Sequence, residues 1–391
     1  MKILMMSDSW HTISGFGTAS RYLAKHLHNS GHDVSYIGWQ TFGQKQVASF
    51  HDEILGFKGL PNVGGQRFGE QAWQYWLPRV KPDVFLTLAD FWMLLSLFKT
   101  NELPVAWSMW YPIDGYPMTD QIEQMLRRID YPVAMSEYGA NMTAEKGIST
   151  GMVPHGVDKS IYKPYHLKVS GEMKAKIGIP ENAFVVGRVD RNQSRKKIPR
   201  AIKAFVEFHK DFPDSVLYLH MDKRDTEGWD LTYILKRFGL EEGKNVFFPP
   251  PDMMANFMYG LAPEELAQVM NIIDIHLWTT GGEGFGLTGL ETMACGAVNV
   301  ATDYTTPPEI FQFGKKDACG LPIRVETFEV GNAGVDRSLI DVGHAYEQMK
   351  WLRENPDEMK VMRDNGLKRS TKVYDWSVVG TSYDKYLRDN I

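Results

Sequence analysis

Two cysteines in 391 residues, Cys295 and Cys319, are too few for a disulfide framework, and no Cys/His spacing suits zinc. That favours a reducing compartment. Long apolar runs are missing as well. The longest, "FWMLLSLF", falls far short of the roughly 20 residues that cross a bilayer. The opening "MKILMMSDSW" holds one lysine and an apolar run that stops at Ser7, too short for a signal-peptide core and better suited to a buried first strand. The expectation is a cytoplasmic chain without an integral membrane segment. Basic excess is lacking too: 43 Lys and Arg stand against 48 Asp and Glu, a net charge of −5. Bulk charge therefore excludes a strongly basic nucleic-acid binder, though not a local patch.

What is present is an ordinary globular composition, 43% apolar and 23% charged, in a chain long enough for two domains. Strand-like and helix-like segments alternate. "KILMMSD", "DVSYIGW", "DVFLTLA", "PVAWSMWYP" and "YPVAMSEYG" read as strands, and "TASRYLAKHLHNSG" and "QIEQMLRRI" as helices. "VPHGVDKSIYKPYHLKVSGEMKAKIGIP" is rich in Pro, Gly and Lys and weakly periodic, which predicts a linker. Alternation then restarts with "AFVVGRVD", a helix over "IPRAIKAFVEFHKDF", and further strand–helix pairs. The fold class is α/β, with two Rossmann-like, doubly wound domains facing a cleft: residues 1–165, residues 166–370, and a final helix within 371–391.

The stretch "GGEGFGLTGLETMACG" carries the most specific chemistry. A strand should end near Thr280 and a helix should start near Leu287, which puts Gly281, Gly282, Gly284 and Gly286 at the turn. Amides there and the helix N-terminus favour an anion, most plausibly phosphate. Glu283 would repel a phosphate and suits hydroxyl donors better. Glu291 lies two turns on, in an apolar stretch where a carboxylate needs a partner. The pattern describes a nucleoside-diphosphate sugar along the turn. The plainer alternative is one helix cap and one ion-paired glutamate.

"EGFGLTGLETMACGAVNVAT" resembles the signature of retaining glycosyltransferases of the GT-B fold, family 4. The resemblance implies that Glu283 contacts the donor sugar, Glu291 the nucleotide ribose, and Gly284, Phe285, Gly286, Leu287 and Thr288 the diphosphate. "GRVDRNQSRKK" resembles the family's Arg…Lys diphosphate clamp, with Lys197 where Gly or Asn is usual. Arg191 and Lys196 are the preferred pair, Arg188 the runner-up, and Arg195 an added cation. Gly15 and Gly17 of "SGFGTA" would line the donor site. In "MWYPIDGYP" Asp114 stands near the family's usual histidine. The expected catalytic set is Asp114, Arg191, Lys196 and Glu283. His155 and Asp158, in "PHGVDKSIYKP", are landmarks read as structural.

No Asp-x-Asp occurs. The other large glycosyltransferase fold uses such a pair to hold a metal, so no metal or other cofactor is expected beyond a UDP- or GDP-linked donor substrate. The acceptor stays open among a saccharide, a lipid, a protein and a hydroxymethylated DNA base. The last enters because the "YPIDG" and "RNQSRKK" variants resemble a subgroup associated with viral and microbial genomes. Two alternatives differ in kind: an NAD-dependent oxidoreductase, against which the first glycine loop lacks a third glycine, and a non-catalytic nucleotide-sugar-binding protein.

Overall fold

The computed structural model describes residues 1–41, 50–51, 56–100, 102–253, 261–331 and 334–391. The chain divides into two compact units. One comprises Met1–Ile113, Met118–Gly156 and Trp376–Ile391, and the other Asp114–Pro117 and Val157–Asp375.

The first unit is built on strands β1 (Lys2–Ser7), β2 (Asp33–Gly38), β3 (Phe50–His51), β4 (Lys58–Leu60), β5 (Val84–Leu88), β6 (Ala106–Tyr111), β7 (Tyr131–Ala134) and β8 (Gly151–Met152). Their order is β3-β4-β2-β1-β5-β6-β7-β8, parallel throughout except β3, which pairs antiparallel with β4. Parallel strands covered on both faces read as continuous apolar runs, and β5 and most of β6 are buried at every position. The polar exceptions are partnered: Trp107 Nε1 donates to Thr87 at 2.9 Å and Ser108 Oγ to the Tyr131 carbonyl at 3.0 Å. The six tryptophans Trp10, Trp39, Trp73, Trp76, Trp107 and Trp110 are all core residues.

Helix Gly15–Asn29 follows β1, with Ser14 as its cap. The face bearing Tyr22 and His26 is covered by the last helix, Trp376–Asn390. Trp376 stacks on Tyr22 at 5.0 Å, and Asp384 meets His32 Nε2 at 2.6 Å.

The second unit holds β9 (Phe184–Val189), β10 (Ser215–His220), β11 (Val246–Phe247), β12 (Ile275–Trp278), β13 (Val298–Thr302) and β14 (Gly320–Ile323), all parallel, in the order β11-β10-β9-β12-β13-β14. Helix Ile198–Asp211 turns Ile198, Ile202 and Phe205 inward, as its periodicity predicts, and buries Phe208 beside them, whereas Val206, His209 and Phe212 of the same periodic set are half-buried.

Three elements depart from the sequence reading. The expected linker contains a helix, Leu167–Ile177, capped by His166 and ended by Gly178 in the left-handed region. It buries only Met173 fully, so it leaves little apolar periodicity. Helix Ala72–Val80 was hidden by Pro78 in its last turn. An antiparallel hairpin, β15 (Val325–Val330) with β16 (Asp336–Ile340), follows β14. Among the described residues no helix is long and apolar enough to cross a membrane.

Candidate functional site

In the second sheet the strand order reverses between β9 and β12, and ligands of open α/β sheets bind beyond the carboxyl ends of strands at such a point. The loop after β9 is Asp190–Lys197 and the turn after β12 is Thr279–Gly286, so the topology brings two sequence motifs together that lie some 90 positions apart (roughly, as in any crossover-built site). Gly281 N–H donates to the Arg195 carbonyl at 2.7 Å, which ties the loop to the turn.

Glu283 is the centre of the cluster. It is buried, and its carboxylate accepts from Lys196 Nζ at 2.5 Å, from Thr280 Oγ1 at 2.7 Å and from Arg195 Nη1 at 3.1 Å. Burial by itself would raise its pKa, but Lys196 and Arg195 outweigh that and hold the carboxyl well below its ordinary value. Lys196 is also buried and spans a second carboxylate, Asp190, at 2.7 Å. An ammonium has three donors, and Glu283 and Asp190 take two of them.

Arg188 lies beneath Lys196. Its guanidinium is fully buried and donates to the Lys196 carbonyl at 2.5 Å, to Thr279 at 2.5 Å and to Asp190 at 3.1 Å. It thus supports the loop from inside. Arg191, expected beside Lys196, instead pairs with Asp225 at 2.6 Å and Glu227 at 3.5 Å. The residue that joins Lys196 at Glu283 is its neighbour Arg195. The reason is local: a 3-10 turn over Ser194–Lys196 reverses the loop after Arg191, so spacing along the sequence does not give spacing in space.

The helix Leu287–Ala294 starts at Gly286, which offers no side chain as a cap. Its first-turn N–H groups have no carbonyl partner within the helix, and Gly284, Leu287 and Thr288 are half-buried around them. Phe285 is buried, its carbonyl held by Thr306 Oγ1 at 2.5 Å. Gly286 has φ +103°, and a Cβ there would lie 2.1 Å from the Trp278 ring. Gly286→Ala is therefore expected to cost about 2–5 kcal/mol, strain and overpacking acting together. Denaturant melts followed by tryptophan fluorescence would measure it, and a loss under 1 kcal/mol (roughly an ordinary surface change) would contradict this packing.

Glu291, farther along the same helix, is buried against Tyr162. Burial pushes its carboxyl up to about 8, partly offset by a hydrogen bond from the Tyr162 hydroxyl. His276, beneath the site, is pushed down to about 4 by burial and pairs with Asn299 at 2.7 Å, a structural role.

Asp114 belongs with this unit. Arg337 of β16 donates to its carbonyl at 2.7 Å and meets its carboxylate at 2.9 and 3.1 Å. Gly15 and Gly17 lie in the first unit, at the start of helix Gly15–Asn29; a Cβ on Gly17 would come within 2.5 Å of Thr12 Oγ1. His155 is in the first-unit core, edge-on to Trp110 at 4.5 Å, and Asp158 caps Ser160 N–H at 2.8 Å.

The sequence reading missed Asp190, Thr280, Tyr162 and Arg337. Asp190 carried a signal, being the first polar position after β9. The hairpin had one too, since two β-rich runs flank "GNAG". Gly284, Gly286 and Gly289 also stand at G-x-G-x-x-G spacing, so glycine spacing alone does not argue against a dinucleotide at this turn. Here Gly289 serves packing, since a Cβ would lie 2.5 Å from Trp278. Among the described residues no cluster of His, Cys, Asp and Glu could hold a metal.

Two doubly wound α/β units, the second with a cationic, carboxylate-lined turn at its switch point, are the architecture of the GT-B fold. The family model of glycosyl transferases group 1 matches residues 254–366. D-inositol 3-phosphate glycosyltransferase of Acidothermus cellulolyticus is 27% identical over 157 residues, which are 38% of this chain and 32% of that protein, so the match spans about a third of the relative's length. Among solved structures, sucrose-phosphate synthase of Thermosynechococcus elongatus superposes with a TM-score of 0.76 at 15% identity, covering 99% of this chain and 98% of that one. Anabaena HepE, solved in complex with UDP-glucose, gives 0.74 at 16% identity with both chains covered fully, 100% each. At such identities the likeness to solved structures shows the fold.

Proposed function

We propose that this chain transfers a sugar from a nucleoside-diphosphate sugar, UDP- or GDP-linked, to an acceptor hydroxyl with retention of anomeric configuration. The observation that carries the reading is the buried Glu283–Lys196–Arg195 cluster beside the uncapped helix start at Gly286. Glu283 accepts hydrogen bonds from the donor sugar's hydroxyls. The diphosphate lies on the amides of Gly284, Phe285, Gly286, Leu287 and Thr288, and Glu291 accepts from the ribose diol. Lys196 and Arg195 meet the charge that grows on the leaving diphosphate, which removes the need for a metal. Arg188 acts through Lys196, and Arg191 is an outlying cation. Gly15 and Gly17 would bring first-unit backbone to the donor. Asp114 faces the acceptor.

The acceptor oxygen attacks C1 on the face from which the phosphate departs. The C1–O–phosphate bond breaks, the C1–O–acceptor bond forms, and the acceptor proton passes to the leaving phosphate oxygen. HepE, of the same fold, is described with UDP-glucose bound, which favours UDP. A saccharide, lipid, protein or hydroxymethylated DNA base each supplies a hydroxyl nucleophile. A thermal-shift screen of nucleotide sugars and NAD(H), then mass spectrometry of each acceptor class with EDTA present, tests the reading. We expect stabilisation by UDP or GDP sugars and a hexose or pentose mass increment on one acceptor. Stabilisation by NAD(H) alone would overturn it.

A further inference from the structure

The hairpin β15–β16 is wrapped round the segment Asp114–Pro117, and the contacts are dense for four residues. Asp336 N–H donates to the Tyr116 carbonyl at 2.6 Å, and Tyr116 N–H to the Tyr304 hydroxyl at 2.9 Å. Tyr304 in turn donates to the Asp336 carbonyl at 3.2 Å. Gly115 has no room for a side chain, because a Cβ would lie 2.3 Å from Val335 Cγ1. Arg337 closes the arrangement with three bonds to Asp114, one to the main chain and two to the carboxylate.

The same hairpin holds the donor turn. Ser338 N–H donates to the Gly281 carbonyl at 3.0 Å and Ser338 Oγ to the Thr280 carbonyl at 3.1 Å. The Arg337 guanidinium lies 3.0 Å from where a Gly282 Cβ would be, and the Asp114 carbonyl only 2.1 Å from that point. Gly282 (φ +153°) therefore lets Asp114 reach the turn that begins at Glu283. Strand β15 is anchored near its start by Arg200 to Glu326 at 2.5 Å and near its end by Lys197, the last residue of the cationic loop, to Glu329. One guanidinium, its side chain 15% exposed against 37% for Asp114, thus ties the main chain and carboxylate of Asp114 to the hairpin that also holds the Thr280–Gly281 turn.

We propose that Arg337 is a positioning residue of the transfer site: it fixes the Asp114 carboxylate against the Gly281–Gly282 turn, so that Asp114 meets the acceptor in register with the donor. A planar guanidinium suits the task, because donors on two nitrogens meet both carboxylate oxygens and the Asp114 carbonyl in one fixed geometry, which an ammonium with all its donors on one atom does not reproduce. The role rests on the functional reading above for what Asp114 does, and on the contacts alone for what holds Asp114.

The test compares wild type with Arg337→Ala, Arg337→Lys and Asp114→Asn, and with the double variant Arg337→Ala/Asp114→Asn. Hydrogen exchange of the peptide spanning 112–118 should speed up in both Arg337 variants, while that of β12 is unchanged. UDP affinity should stay within twofold, whereas kcat falls roughly 10–100-fold in Arg337→Ala and less in Arg337→Lys. The double variant should lose no more than Asp114→Asn alone, because both act through one carboxylate. Unchanged exchange at 112–118, a kcat within twofold of wild type in both Arg337 variants, or additive losses in the double variant would each overturn the role. Wild-type protein that binds no UDP or GDP nucleotide would overturn the reading beneath it, a result distinct from altered exchange or kcat with nucleotide binding intact.

Discussion

Lys196→Met is expected to lower kcat by roughly 10²–10³-fold, the range seen when one preorganised charge donor is taken from a developing anion. Donor Kd should change only a few-fold, since the amides at Gly286 and the carboxylates Glu283 and Glu291 remain. The concern with any buried charge is that its loss unfolds the protein; removing one partner of a buried pair commonly costs about 3–5 kcal/mol. Here the arrangement limits that cost. Asp190 keeps Arg188 at 3.1 Å and Glu283 keeps Arg195 at 3.1 Å, so neither carboxylate is orphaned. The expected stability loss is about 1–3 kcal/mol, smaller than the effect on the barrier. Single-turnover kinetics beside calorimetric titration of UDP would separate the two. A variant that folds, binds donor and turns over within threefold of wild type would remove Lys196 from the chemistry.

The pair Asp190–Glu283 also explains why the charge of this loop was harder to read than its position. The sequence shows five cations between Arg188 and Lys197, and residue spacing favours Arg191 with Lys196. In the folded chain every cation meets a carboxylate, and some share one: Arg188 and Lys196 meet Asp190, Arg191 meets Asp225, Arg195 and Lys196 meet Glu283, and Lys197 meets Glu329. Asp225 lies on a loop and Glu329 on β15, and the approach of both depends on tertiary packing, so no local rule could have assigned them.

The strands were legible because parallel β-strands covered on both faces are apolar almost without interruption, as "VFLTL" is with its one threonine. Helix Ile198–Asp211 was legible because one face alone is buried. Helix Leu167–Ile177 and the hairpin were not. Both are surface elements whose partners are polar or solvent, and β15 is exposed at five of its six positions. Asp114 was singled out from its Pro/Gly turn. Its partner Arg337 lies more than 200 positions on, beyond anything local pattern reaches (on the order of one helix or hairpin).

Glu291→Gln is expected to do two opposed things. Burial holds the wild-type carboxyl protonated up to about 8, whereas in the unfolded chain it ionises near its ordinary 4.5. Between those values the native state carries a proton that the unfolded state has lost. Stability from this group is thus fullest below the unfolded value, falls as pH rises, and levels off above about 8. Glutamine removes that slope. At pH 9 the variant should be the more stable protein, by on the order of 5 kcal/mol, and near pH 4 the two should converge (a shift of one pKa unit being worth about 1.4 kcal/mol). Nucleotide binding should move the other way. Ribose hydroxyls that donate to the carboxylate favour its ionised form and pull its pKa down, so binding near neutrality releases a proton. Wild-type affinity for UDP should therefore rise with pH up to about 8 and then flatten. The Glu291→Gln variant should bind roughly 10–100-fold more weakly above that pH, the loss expected for a hydrogen bond to a charged group, and show no such rise. Urea melts and UDP titrations at several pH values, each run on both proteins, check the two effects together. Parallel pH curves for wild type and variant would show that Glu291 neither titrates near 8 nor meets the nucleotide.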